Sequence, residues 1–465
     1  MIKIKLQTVV LVLGLAACSD FLEESSLDEV RPSTVNDLEE MLLGDGYQDD
    51  HNFYYLTEPM TDNMKSIEPT DKTQSYYEKG KWAYLWDLKM FDEDGGGYNR
   101  ECWEKPYSCI LGCNLILDYL DAMSGEASLR ENLRGEALAL RGWYYLQLVN
   151  FFGVAYNQGD PRTELAVPLK LESTVTGVFF ARNTVAEVYA QIERDLLTGN
   201  RLLVNYDYDR TFFRIGHVAA KAILSRMYLY MENWDKAIAY ADSVLNIKPD
   251  LLDLNTTTNE VYESTTPDEI IWGRKYNAGY SYVPQAFITP WFIPSDDFLN
   301  LYDKEEDVDI RKERYCLTVK NSGVCMGVDK AKSDYGGWQG IRTAELYLNR
   351  AEGYARKYLE TGNEAFRLKA LADLNHLREF RINKGAYREK EITGGQELLD
   401  FCMDERRREL SGETNHRYCD VRRLGLTLKH KLYDGTMEYT QDMTRFVLPI
   451  PETVMELNPD LVQNK

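Results

Sequence analysis

The segment from Asp92 to Trp103 is the part of this chain closest to a metal-binding loop. Asp92, Asp94 and Gly97 fall at the first, third and sixth positions of an EF-hand. Gly96 stands where an oxygen-bearing side chain is needed, and Trp103 where the bidentate Glu should be, so the segment reads as a polar loop. Cys109 and Cys113 share a helical face at i,i+4 with no histidine near them, which points to small buried residues rather than zinc ligands. The five histidines, His51, His217, His376, His416 and His430, are scattered. No H-E-x-x-H, G-x-S-x-G or P-loop pattern occurs. A glycosidase needs two positioned carboxylates, and nothing among the 75 acidic residues marks such a pair. No catalytic residue, metal or cofactor is expected.

One cysteine does carry a defined chemistry. Lys3 and Lys5, the apolar run Val9 to Leu15 and the small residues Ala16-Ala17 lead to Cys18. That order is a signal peptide cut before Cys18, and "LAAC" matches the bacterial lipobox, in which the exposed thiol receives lipid. The apolar run is about half of the ~20 residues needed to span a bilayer. Residues 1–17 are therefore expected to be removed and the rest to hang from acyl chains. Loss of Lys3 and Lys5 moves the formal charge from −21 to −23. A chain so acidic excludes nucleic acid, which requires a basic footprint, and excludes electrostatic adhesion to anionic lipid.

Of the remaining seven cysteines, Cys316 and Cys325 flank a hairpin-like stretch around Asn321-Ser322-Gly323 and could pair in an oxidising compartment. The basic run "DERRRELSGETNHRYCDVRRLG" invites a phosphate site through Arg406, Arg407, Arg408, Arg422 and Arg423. Asp404 and Glu405 stand one helical turn before Arg408, so the cluster can neutralise itself as a buried or half-buried ion network.

The elements that must position these groups are helices. Leu133, Ala137, Leu140, Tyr144, Leu148 and Phe151 make one apolar stripe ended by Gly153. Residues 183 to 204 give another helix, with Asn183 as N-cap. In "AAKAILSRMYLYMENWDKAIAYADSVLNIKPD", Leu224, Ser225 and Tyr228 lie on one helix and Ala237, Ala241 and Val244 on the next, at tetratricopeptide spacings. Small residues at Ser225 and Ala237 predict close approach. A second pair turns at Gly362-Asn363. Residues 44–100 and 250–340 lose this period and are rich in Tyr and Trp, which argues for long ordered loops on a helical scaffold.

Several segments in order resemble the SusD/RagB family of lipoproteins. "AACSDFLEE" is similar to the family's start, and "AYLWD" with "CWEKPYSCILGCNLIL" to its first helix, through Trp86, Trp103, Tyr107, Ile110 and Asn114. "EALALRGWYYLQLVNFFGVAY", the repeat unit, "IRTAELYLNRAEGYA", "DERRRELSGETNHRYCDVRRLG" and "VLPIPETVMELNPDLVQN" complete the set. The family usually follows "ERRRE" with a Gly-Xaa-Arg-Trp-Phe-Asp-like run, where this chain has Asn415 to Asp420.

The resemblance implies an all-α dominated, tetratricopeptide-like scaffold with long, partly β loop insertions, forming one domain over residues 18–465. It implies a non-enzymatic lipoprotein on the outer face of the outer membrane, above a SusC-like TonB-dependent transporter. The ligand would be an oligosaccharide or, in the RagB branch, an oligopeptide; a surface glycoside hydrolase is a weaker alternative.

Sugar rings call for flat aromatic platforms beside polar side chains. The loops offer Tyr76, Tyr77, Trp82, Tyr98 and Asn99, then Tyr276, Asn277, Tyr280, Tyr282, Gln285, Trp291 and Trp338. From these, Trp82, Tyr98, Asn99, Tyr276, Tyr280, Tyr282, Trp291 and Trp338 are the candidate ligand contacts.

Overall fold

The computed structural model describes residues 32–47, 57–69, 74–91, 101–174, 176–204, 212–257, 269–275, 292–303, 308–318, 323–328, 330 and 338–464. Cys18 and its lipobox lie outside the described residues, as does the loop that begins at Asp92.

Helices dominate. In chain order they are α1 (Val35–Met41), α2 (Gln74–Tyr84), α3 (Glu101–Tyr119), α4 (Ala127–Phe152), α5 (Val185–Leu203), α6 (His217–Tyr230), α7 (Trp234–Leu245), α8 (Asp296–Asp303), α9 (Arg311–Tyr315), α10 (Thr343–Thr361), α11 (Glu364–Glu379), α12 (Gly395–Leu410), α13 (His416–Arg423) and α14 (Glu452–Leu457). The strands are short: β1 (Met64–Ser66), β2 (Ile270–Lys275), β3 (Phe292–Pro294), β4 (Cys316–Thr318), β5 (Cys325–Val328), β6 (Trp338–Arg342), β7 (Thr427–Lys431) and β8 (Glu438–Asp442). They pair antiparallel as the ribbons β1–β3, β2–β6, β4–β5 and β7–β8. The two regions read as loops thus contain α2, α8, α9 and most of the ribbons. Their elements are short and bury only narrow stripes, so the helical period was too weak to register.

The main core is organised by α4, whose stripe Leu133, Ala137, Leu140, Tyr144, Leu148 and Phe151 is fully enclosed. Gly153 caps it, its N–H donating to the Val149 carbonyl at 2.9 Å. Helix α5 crosses α4 at small residues: a Cβ on Gly199 would stand 2.9 Å from the Gly135 carbonyl oxygen, inside van der Waals contact. Beside this crossing, Arg141 Nε and Nη2 each donate to the Asp195 carboxylate at 2.8 Å, and Nη1 donates to Asn114 Oδ1 on α3 at 2.8 Å. That buried fork fixes the register of three helices at once.

The N-cap of α5 is Thr184, not Asn183. Thr184 Oγ1 accepts from Glu187 N at 3.2 Å while Glu187 Oε2 accepts from Thr184 N at 2.8 Å, a reciprocal capping box. Asn183 instead donates to the same Glu187 carboxylate at 3.1 Å.

Helices α6 and α7 meet where their small residues predict. Ser225 Oγ donates to the Ala237 carbonyl at 3.0 Å, and both residues are wholly buried. Helix α10 packs on α7 and α6, and Asn349 Nδ2 donates to Ser225 Oγ at 3.4 Å. The α10–α11 turn is built as read: Gly362 takes the left-handed conformation (φ +65°), and Asn363 Oδ1 accepts from Ala365 N at 3.0 Å.

The arginine-rich run is consumed internally. Arg406 pairs with Asp420 (2.9 Å), Arg408 with Glu405 (2.6 Å) and Arg423 with Glu352 (2.5 Å). Arg422 donates to the Phe446 carbonyl at 2.8 Å. Asp420, within the segment that departs from the family pattern, therefore serves as a buried counter-ion. Glu409 at the end of α12 accepts from Arg311 (3.3 Å), Arg342 (3.0 Å) and Arg381 (3.0 Å). Burial alone would raise the neighbouring Glu405 carboxyl, yet Arg311, Arg408 and Arg378 outweigh it and hold it down at about 2.

Candidate functional site

Two helical turns separate Tyr77 and Tyr84, so α2 presents both rings on one face. Strand alternation sends Met64 and Phe292 of the β1–β3 ribbon to that face and Lys65 and Ile293 to the other. Phe292 stacks on Tyr77 with centroids 5.8 Å apart and on Tyr84 at 4.5 Å. His430 of β7 continues the column, stacked on Tyr84 at 4.1 Å and on Trp86 at 4.0 Å. At the opposite end Tyr433 meets Tyr77 edge-on at 5.6 Å.

Polar contacts lock the column. Tyr84 Oη accepts from Ser66 N and donates to the Lys431 carbonyl, each at 3.3 Å. The His430 ring nitrogens face the Tyr84 and Thr61 carbonyls at 2.5 and 3.0 Å. Burial pushes the His430 imidazole down to about 4, against those two carbonyls, and pushes the Tyr84 phenol up to about 12. Trp86 holds φ +54°, a strained backbone for a non-glycine residue, and its Nε1 donates to the Met60 carbonyl at 2.9 Å.

The column runs from buried Trp86 to Tyr433, which is 43% exposed. Tyr433 opens the turn of the β7–β8 hairpin, where Gly435 has φ +71° and Thr436 N donates to Asp434 Oδ1 at 3.0 Å. This aromatic was not singled out from the sequence. The Asp-Gly pair after it is a hairpin signal that could have found it.

The nominated residues divide as follows. Tyr77 is buried in the column and serves packing. Trp82 is half-buried against the main core, with the Lys81 ammonium 5.3 Å from its ring centroid, and belongs to a different cluster from Tyr77. The Trp338 backbone opens β6, paired with Lys275 at the end of β2. Tyr98, Asn99, Tyr276, Tyr280, Tyr282 and Trp291 lie outside the described residues. The segment holding the last four leaves the described chain at Lys275, opposite Trp338. It rejoins at Phe292, inside the column and opposite Ser66.

The other face of the β1–β3 ribbon borders a groove of about 750 Å³, walled by α8, α9 and the β4–β5 hairpin. Its lysines are neutralised in place: Lys65 by Asp296 at 2.6 Å and Lys312 by Asp303 at 2.5 Å. The ribbon's base is tied to α12 and α13. Arg417 forks onto Asp62 at 2.7 and 2.6 Å, and Arg407 donates to Asn63 Oδ1 at 2.7 Å and to Asp297 at 2.8 Å.

Two carboxyls here have separated affinities for protons. Burial raises Glu58 to about 7, whereas Arg417 and Arg407 outweigh burial at Asp62 and hold it at about 2. A split of that kind can mark an acid and a base. Here Glu58 is 4% exposed and bonded to Asn63 Nδ2 at 2.8 Å, and Asp62 is taken by the Arg417 fork. The arrangement is built to hold a loop. Among the described residues, no group of three or more His, Cys, Asp or Glu side chains is placed to hold a metal ion.

Comparison with known proteins accords with this architecture. Residues 20–229 match the SusD-like family model described as starch-binding and associating with the outer membrane, and residues 303–465 match the SusD family model. No curated protein matches the sequence. A SusD-like carbohydrate binding protein from Bacteroides vulgatus has the same fold, with 23% identity and a TM-score of 0.71 over 92% of this chain and 98% of that one. A SusD superfamily protein from Bacteroides thetaiotaomicron gives 22% identity and a TM-score of 0.68 over 93% and 100%. One from Bacteroides fragilis gives 19% and 0.72 over 92% and 99%. With two family models spanning most of the sequence and the fold shared end to end, this chain belongs to the SusD/RagB family.

Proposed function

We propose that this protein is a lipid-anchored, cell-surface receptor that captures oligosaccharides and passes them to a SusC-like TonB-dependent transporter without altering them. Cys18 carries the lipid. The observation that bears most weight is the exposed ring of Tyr433 at the outer end of the hydrogen-bonded aromatic column. Residues 276–291, which hold four of the nominated aromatics, join β2 at Lys275, opposite Trp338, and join that column at Phe292. An exposed ring on a fixed base offers stacking area with little ordering cost on binding. Family membership supports a carbohydrate ligand. Among the described residues no helix is long and apolar enough to cross a membrane, which is consistent with an acyl anchor.

The absence of turnover rests on the family's character as binding proteins and on the engagement of both carboxyls, Glu58 buried against Asn63 and Asp62 held by the Arg417 fork. Neutral glycans bring no charge to a processed chain of formal charge −23, so capture should vary little with salt. Truncating Trp291, Trp338 or Tyr433 to Ala tests the reading. Each should weaken glycan binding by about thirtyfold, the equivalent of ~2 kcal/mol, with the fold intact by circular dichroism. Unaltered affinity in all three variants would place the ligand elsewhere.

A further inference from the structure

The β4–β5 hairpin holds two thiols in a setting unlike that of the other cysteines. Thr318 faces Cys325 and Cys316 faces Val328, so Cys316 and Cys325 are diagonal neighbours on one face of the ribbon. Their side chains are hydrogen-bonded to each other, and Cys325 Sγ also donates to the Gly327 carbonyl at 3.2 Å. Both border the 750 Å³ groove, which gives a small oxidant a path to them. The bond to Cys316 outweighs burial and brings the Cys325 thiol below its ordinary range, with the Lys312 ammonium adding to the effect. Cys113 and Cys402, by contrast, are enclosed in the helical core, where burial drives their thiols well above that range.

We infer that Cys316 and Cys325 are a redox-active pair that closes to a disulfide in an oxidising compartment, stapling the hairpin that walls the groove. The Cys325 thiolate attacks one sulfur of a small disulfide oxidant, forming a mixed disulfide and releasing one thiolate of the oxidant. Cys316 then gives up its proton and attacks the Cys325 sulfur, expelling the second thiolate. Two thiols are oxidised to one disulfide, and the two electrons reduce the oxidant to two thiols. The sulfurs must close to about 2.05 Å. Closing a diagonal pair calls for a backbone shift, and the ladder is irregular between Cys316 and Thr318, where the strand can take it up.

The test uses the soluble chain lacking residues 1–18, which retains seven cysteines. It is incubated with oxidised glutathione, unfolded, alkylated and mapped by mass spectrometry. The inference predicts five alkylated cysteines and one cross-linked peptide joining Cys316 to Cys325. It also predicts that Cys316→Ser stops at a persistent glutathione adduct on Cys325, since the resolving thiol is gone. Seven alkylated cysteines in the wild type, or a cross-link such as Cys109–Cys113 in its place, would overturn it.

Discussion

Replacing Glu409 by Gln should cost this protein a large share of its stability. Its carboxylate is completely buried and is shared by the guanidinium groups of Arg311, Arg342 and Arg381 at 3.0 to 3.3 Å. Glu269, Asp309, Glu405 and Glu413 supply the other negative charges, against Lys330, Arg378 and Arg408 as further cations. At an effective dielectric constant near 20, each charge pair about 4 Å apart is worth ~4 kcal/mol before desolvation. The amide keeps the shape and one acceptor oxygen but removes the charge, leaving three arginines around a neutral group. Removing one partner of a buried pair typically costs about 3–5 kcal/mol, against a total stability of roughly 5–15 kcal/mol. Urea unfolding followed by far-ultraviolet circular dichroism reads the loss as a lower midpoint at unchanged slope. Glu438→Gln, at the exposed pair with Lys429, is the control and should not shift the midpoint. If Glu409→Gln stayed within about 0.5 kcal/mol of wild type, the network would be energetically idle and the reasoning wrong.

Three further outcomes follow from the structure. Ala237→Leu should overpack the contact at Ser225 and cost about 1–3 kcal/mol, and a melting curve identical to wild type would show that α6 and α7 do not depend on it. Glu58 binds its proton more tightly in the folded state than in the unfolded one. Its contribution is therefore complete below about pH 4.5 and lost as pH rises through about 7, a swing of about 3 kcal/mol. Glu58→Gln should then match wild type near pH 5 and exceed it near pH 8, and an equal gap at both would refute the raised affinity. Cys18→Ala should release the protein from the membrane fraction; retention after a high-salt wash would rule out the acyl anchor.

Local features were legible in the sequence where local physics decides them. The α4 stripe, the Gly362-Asn363 turn and the Ser225–Ala237 approach depend on residues within one or two elements. At the start of α5, Asn183 and Thr184 are both competent caps, and only the reciprocal bond to Glu187 separates them. Among the buried arginines, the one-turn partner of Arg408, Glu405, was legible, but the distant partners were not. Glu269 lies 73 residues from Arg342 and 112 from Arg381, and no sequence period connects them. Helix α2 buries Tyr77 and Tyr84 in the column but packs Ala83 and Trp82 against the main core, so its apolar positions do not fall on a single stripe. Tyr433 was passed over because it stands far from the aromatic-rich loops in sequence, although the fold brings its ring against Tyr77.

The central claim, glycan capture without turnover, is tested most directly by calorimetric titration of the soluble chain lacking residues 1–18. The ligands are a panel of host and plant oligosaccharides and a panel of peptides, and each cell is recovered for product analysis. Glycan capture predicts heat with at least one oligosaccharide class, little change between low and high salt, and ligand recovered intact. Binding to peptides with no response to any glycan, or hydrolysis of a glycan in the cell, would contradict it.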